Sequence, residues 1–248
     1  MRPHLPLPLL SALLACLVSP SWANYTLTGN GETTISFADD QYVITLPTGD
    51  PVTLTESPEI IYLTDFTATG TYEGGYERTL NLEGGTYSGI QVYNVAGNAG
   101  ESVTIENPCH FTLNIGAGTS FLNSVPNQNF MLWSSNDRII PGNFTVNVDR
   151  NAGTINGFSI IGDGNMQNAF QTTGTYTVNI HGGNWNGVSV GNPDSSWCIG
   201  LGQESFLHTG DVIFTIDGGT FAQMVTAGST RGAGAASTGA LIVGIVSL

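Results

Sequence analysis

Alternation of apolar and polar residues dominates this chain, and one alternating tetrad recurs. Thr79-Leu80-Asn81-Leu82, Thr112-Leu113-Asn114-Ile115, Thr145-Val146-Asn147-Val148 and Thr177-Val178-Asn179-Ile180 share a pattern, with their asparagines 33, 33 and 32 residues apart. Successive side chains of a strand point to opposite faces, so the aliphatic pair of each tetrad faces one way and Thr and Asn the other. The residue before the tetrad is aromatic in three copies, Phe111, Phe144 and Tyr176. Thr45 in "VITL" and Thr215 in "IFTI" extend the series, each 36 residues beyond the nearest asparagine.

A corner follows each tetrad: "EGGT" at 83–86, "HGGN" at 181–184, "DGGT" at 217–220 and the longer "DRNAGT" at 149–154. Glycine accepts the positive φ that such corners require. A second alternating run comes next, in "GIQVYNV" at 89–95, "GFSIIG" at 157–162, "GVSVG" at 187–191 and "QMVTAG" at 223–228. A sandwich of hairpins has no need to repeat one strand at a fixed period, whereas stacked coils do. The pattern therefore predicts an all-β chain, a right-handed parallel β-helix (β-solenoid) with coils of ~33 residues, the hand following the preference of parallel crossovers. Coil strands are expected near 78–82, 111–115, 144–148, 176–180 and 212–216, with the rest of each coil supplying a third strand and a loop.

Residues 24–76 fit the period poorly and are assigned to an N-terminal cap and first coil, since an uncovered end exposes unpaired strand edges. Residues 77–248 form the repeats. Near the end, "STRGAGAASTG" (229–239) reads as a loop and "ALIVGIV" (240–246) as the next opening strand. The array either closes on that strand or continues in a longer chain.

Composition adds a location. Arg2 followed by the apolar run Leu9 to Val18, too short to span a bilayer, and then Ser21-Trp22-Ala23 match a secretory signal peptide over residues 1–23, cleaved before Asn24. The rival reading is a lipoprotein box, "LLAC" at 13–16, with Cys16 lipidated. No transmembrane segment is expected in the mature chain. There is no lysine, and loss of Arg2 with the leader moves the formal net charge from −14 to −15. Such a surface repels phosphate backbones and anionic lipid heads, so nucleic acid and membrane surfaces are excluded as partners. Only 10% of residues are charged while 33 are glycine, so Ser, Thr, Asn and Gly supply the polar faces. Cys109 and Cys198 fall about three coils apart and are expected to be separate buried thiols.

The phrase "VNI-x-GGxF/W/Y-x-G-x-V", clearest at 178–188 and 214–228, resembles the glycine-rich β-strand repeats of autotransporter-like adhesin passengers, surface proteins of Gram-negative bacteria. The resemblance covers about residues 77–248. It implies secretion or surface display, outer-membrane association and an adhesive or structural role, with host or environmental glycans or surface proteins as partners. The chain departs from the autotransporter plan in lacking a segment long enough for a terminal barrel.

Stacking gives candidate chemistry a row. Asp149, His181 and Asp217 fall on three adjacent coils with Glu83 and Gly116 before them, close enough for proton sharing or cation binding. The competing reading is a ladder of turn residues, because Asp, Glu and His often precede glycine in exposed corners. Trp185 shares a position after the corner with Tyr87 and Phe221, as a sugar platform or as core. Trp133 in "MLWSSNDR" and Trp197 in "NPDSSWC" lie beside Ser, Asn and Asp, the usual partners of sugar hydroxyls. "GDGN" at 162–165 hints at a calcium loop without the nonapeptide period of calcium rolls. No cofactor and no metal site is expected. A structural or adhesive module is the first reading; a carbohydrate-active enzyme or glycan-binding protein on the same scaffold is the second. The absence of lysine disfavours a lyase acting on acidic sugars, which needs cations at the uronate carboxylate.

Overall fold

The computed structural model describes residues 25–58, 60–64, 70–91, 103–122, 130–134, 139–156, 158–163, 170–186, 197–202, 206–222, 224–229, 240–243 and 246–247. They form strands and turns with no helix, hence no helix long and apolar enough to cross a membrane. Residues 1–23, where the sequence predicts a signal peptide, lie outside the described residues.

The chain is a parallel β-solenoid, and each coil visits four sheets in a fixed order. The first sheet collects Gly70–Gly74, Val103–Asn107, Ile139–Ile140, Phe170–Thr173, Phe206–Thr209 and Ala240–Val243. The second holds the tetrads, in Glu77–Glu83, His110–Ile115, Phe144–Val148, Tyr176–Ile180 and Val212–Ile216, and ends on Val246–Ser247. The third is made of corner strands, Thr86–Tyr87, Ser120–Phe121, Thr154–Asn156, Asn184–Asn186 and Thr220–Phe221. The fourth contains Phe130–Ser134, Phe158–Asp163, Trp197–Gly202 and Met224–Ser229. The expected third strand and loop are thus a four-sided coil. In the coil of His181 the described fourth-sheet strand is Trp197–Gly202, and "GVSVG" lies outside the described residues.

Register follows the repeat. Asn81, Asn114, Asn147, Asn179 and Thr215 are successive partners across the second sheet. Alternation then sorts the faces. Leu80, Leu82, Leu113, Ile115, Val146, Val148, Val178 and Ile180 are buried as a continuous core. On the outer face each asparagine amide donates to the oxygen of the asparagine before it, at 2.9 Å from Asn179, 2.8 Å from Asn147 and 2.7 Å from Asn114. Asn81 closes the row by donating to Glu32 and to Thr34 Oγ1.

Thr34, not Thr45, stands next to Asn81. Gly31–Ala38 stacks in parallel on Glu77–Glu83, then reverses through Asp39 and Asp40, both at positive φ, into the antiparallel strand Gln41–Thr45. Two residues at positive φ are what a type I′ hairpin turn requires. Thr45 is therefore opposite Thr34, one strand further out. The three-residue antiparallel strand Val52–Leu54 ends the sheet, and so short an edge offers little template for further pairing. Tyr25–Thr26, Ile60–Tyr62 and Gly89–Gln91 form a separate parallel sheet whose last strand contacts Phe130–Ser134.

Arg78 and His208 are both buried inside this frame. The aromatic column Phe111, Phe144 and Tyr176 has ring centroids 5.2 and 5.8 Å apart. At its N-terminal end the same position is Arg78, only 5% exposed, with its guanidinium donating to the carbonyls of Gly29 and Leu63 and lying 4.0 Å from the centre of the Tyr76 ring. A long cation thus seals the column where the cap begins. His208 is fully buried against Tyr176, centroids 4.3 Å apart. Burial pushes the imidazole below its ordinary value, outweighing the opposing pull of the Asp211 carbonyl and carboxylate.

The alternation predicts that Leu113→Ala costs about 2–5 kcal/mol in denaturant unfolding, whereas Thr112→Ala on the outer face stays within about 0.5 kcal/mol. His208 predicts a pH dependence. Its folded pKa lies below the unfolded value of about 6.5, so the unfolded chain takes up the proton first and this contribution to stability is lost as pH falls below about 6.5 toward the folded value. His208→Phe should flatten the change in unfolding midpoint between pH 7.5 and 5.5 relative to the unaltered chain.

Candidate functional site

The corner row exists as a stack. The amides of Gly116, Asp149, His181 and Asp217 donate to the carbonyls of Leu82, Ile115, Val148 and Ile180, one coil back in each case. His181 and Asp217 meet: Nδ1 lies 2.7 Å from Asp217 Oδ1, with the two side chains 44% and 52% exposed. An ionised carboxylate only accepts, so Nδ1 carries the shared proton and Nε2 is left as an acceptor in the neutral ring. A polar contact this exposed contributes little to stability. Asp149 does not join them; its Oδ1 accepts from the Asn151 amide at 2.7 Å and shapes its own corner. Among the described residues no group of three His, Cys, Asp or Glu is placed to hold a metal.

Corner length sets what surrounds the pair. The coil of His181 turns through Gly182 and Gly183, and Gly183 adopts φ +91°. A Cβ built on Gly182 would stand 2.1 Å from the Arg150 carbonyl oxygen of the longer corner in the preceding coil. Close stacking, rather than flexibility, demands glycine there. Arg150, His181, Asn184 and Thr220 line an open depression of about 390 Å³ that includes the glycine pairs 182–183 and 218–219. Thr220 Oγ1 donates to Asn184 Oδ1 at 2.8 Å, so Asn184 presents its NH2 group.

Trp185 is not in this depression. It is 1% exposed, stacked on Phe221 at 5.8 Å, and its Nε1 donates to the Gly182 carbonyl. Its column runs Tyr87, Phe121, Ile155, Trp185, Phe221 through the core. Of the two readings of Trp185, sugar platform or core, its burial fits the core, with no face of the indole offered to solvent. Trp133 and Trp197 have fourth-sheet backbones opposite Gly162 and Met224, and their side chains lie outside the described residues. So does the Cys198 side chain, and "GDGN" runs beyond them after Asp163.

A second depression, of about 480 Å³, opens where the cap meets the first coils, lined by Asn30, Glu32, Glu77, Arg78, Thr79, His110 and Thr112. His110 Nδ1 accepts from the Asn143 amide at 3.1 Å, which places the ring proton on Nε2. Glu77 is the in-register partner of His110, and Asn30 accepts from the Glu77 amide. The sequence reading missed this group. Glu77 and His110 are 33 residues apart and could have been paired by extending the tetrad three positions upstream from Leu80 and Leu113. Glu32 could not, because the cap strand breaks the period.

No protein-family profile, curated protein or solved structure matches the chain.

Cys109 is a free, buried thiol that burial pushes up from its ordinary value. In the native protein at pH 8 its tryptic peptide should stay unlabelled by iodoacetamide, and label fully in denaturant. Native labelling would contradict the packing at this corner.

Proposed function

We propose that the chain is a secreted or surface-exposed β-helical module with a structural or adhesive role. One observation carries this reading: the outer face of the second sheet is a continuous polar row whose amides satisfy one another from Asn179 to Asn81. Such a face stays hydrated and well ordered without a high density of charge. The leader-like residues 1–23, the glycine-rich corners and the resemblance to adhesin passengers support the same location and role. Glycans or surface proteins are the partners that an extended, largely uncharged face suits. The carbohydrate-active enzyme is the second reading, favoured by the 2.7 Å contact of His181 with Asp217.

Expression of residues 1–248 in a Gram-negative host should give an exported product whose N-terminal sequence begins at Asn24. That mature product, applied to immobilised host and plant glycans and to matrix proteins, is expected to bind at least one class without releasing reducing ends. Turnover abolished by His181→Ala would establish the enzyme instead. A product kept in the cytoplasm, or neither binding nor turnover, would reject an adhesive role.

A further inference from the structure

We propose that the depression beside His181 binds a carboxylated sugar residue, a uronic or sialic acid class of ligand. This deepens the adhesive reading and rests on it.

The charge distribution singles out one group. Of the five arginines, Arg2, Arg138 and Arg231 lie outside the described residues and Arg78 is buried on carbonyls. Arg150 is exposed, lines the depression and makes no ion pair among the described residues. Among the described residues no carboxylate pairs with Arg150, although the chain carries nineteen acidic side chains. The row's neighbouring acids are turned to other partners, Asp149 Oδ1 to the Asn151 amide and Asp217 Oδ1 to His181, and neither forms an ion pair with Arg150. Arg150 is thus free to take a carboxylate from outside, and its planar fork matches that group in two hydrogen bonds.

The remaining groups suit a polyol. With Nδ1 held by Asp217, Nε2 of His181 is the nitrogen left for a hydroxyl, an acceptor when the ring is neutral. Asn184 donates through its NH2 because Thr220 already occupies its oxygen. Cation, acceptor and donor therefore surround a depression whose about 390 Å³ falls within the range of small-ligand sites. Ala152 is the largest apolar side chain lining it, so an aliphatic or aromatic partner would find no apolar wall there. The glycines between these groups are already required by coil stacking and form a low floor that lets a ring approach the backbone.

The test uses the mature chain with galacturonic acid, N-acetylneuraminic acid and neutral galactose, read by saturation-transfer NMR. At least one acidic sugar is expected to bind with a roughly millimolar Kd, galactose much more weakly. Arg150→Ala should weaken the acidic sugar about tenfold or more, as loss of a charge-assisted pair does, with Arg150→Lys intermediate. Asn184→Ala should weaken acidic and neutral sugars alike. Far-ultraviolet circular dichroism of each variant should match the parent, both altered side chains being exposed. Acidic-sugar binding that Arg150→Ala leaves unchanged would overturn this site and leave the adhesive role standing. Absence of binding to any of the three sugars would also overturn it, while binding to another glycan or a matrix protein would still support adhesion.

Discussion

Parallel stacking in register puts every residue on its own equivalent, one strand spacing of about 4.8 Å away. A side chain in this molecule must first tolerate its own copy. Aliphatic rows pass that requirement inside, and amide rows pass it outside because asparagine both donates and accepts. Carboxylates meet it less well, since like charges directly opposite each other destabilise a sheet, and Glu106 beside Glu73 in the register of the first sheet is tolerated at an exposed position. The corner row obeys this rule: Glu83, Gly116, Asp149, His181 and Asp217 contain no two adjacent acids. Histidine stands between the two aspartates, and in the row of Glu77 another histidine, His110, stands next to the acid.

The same constraint locates the irregularities. Arg78 can occupy a core column only at its end, where the carbonyls of Gly29 and Leu63 receive it. Thr119 is fully buried in the corner that has one extra residue, where it donates to the Leu82 carbonyl and accepts from the Gly84 amide. Asp149 bends the still longer corner of the next coil. Each departure from the repeat spends its polar groups on backbone left open by the departure itself. The exposed guanidinium of Arg150 is an exception to this economy, which is why it bears on ligand binding.

The second sheet was legible because period and alternation together specify it: the tetrads give register, and the aliphatic pairs give the inward face. The third sheet was not, since its two- and three-residue strands are hidden inside runs that read as turns. The strand expected at "GVSVG" lies outside the described residues, and Trp197–Gly202, which gives the His181 coil its described fourth-sheet strand, was not singled out from sequence. His181 and Asp217 were placed together by counting along the repeat. Counting could not tell that Asp149 would turn aside, because that depends on two extra residues in its corner. Trp185 was ambiguous from sequence for a plain reason: an aromatic residue just after a glycine corner suits a core column and a sugar platform equally, and only its burial beside Ile155 and Phe221 decides.

The asparagine row has a direction. Every amide donates toward the N-terminal end, where Glu32 and Thr34 accept the last hydrogens. A further coil inserted anywhere within the row brings one donor and one acceptor with it and leaves both termini of the row unchanged. In genetic terms, an in-frame duplication of one period lengthens the molecule without requiring a compensating substitution on this face. The row therefore makes the number of coils a quantity that can drift, while the cap, with its carboxylate, has to be kept.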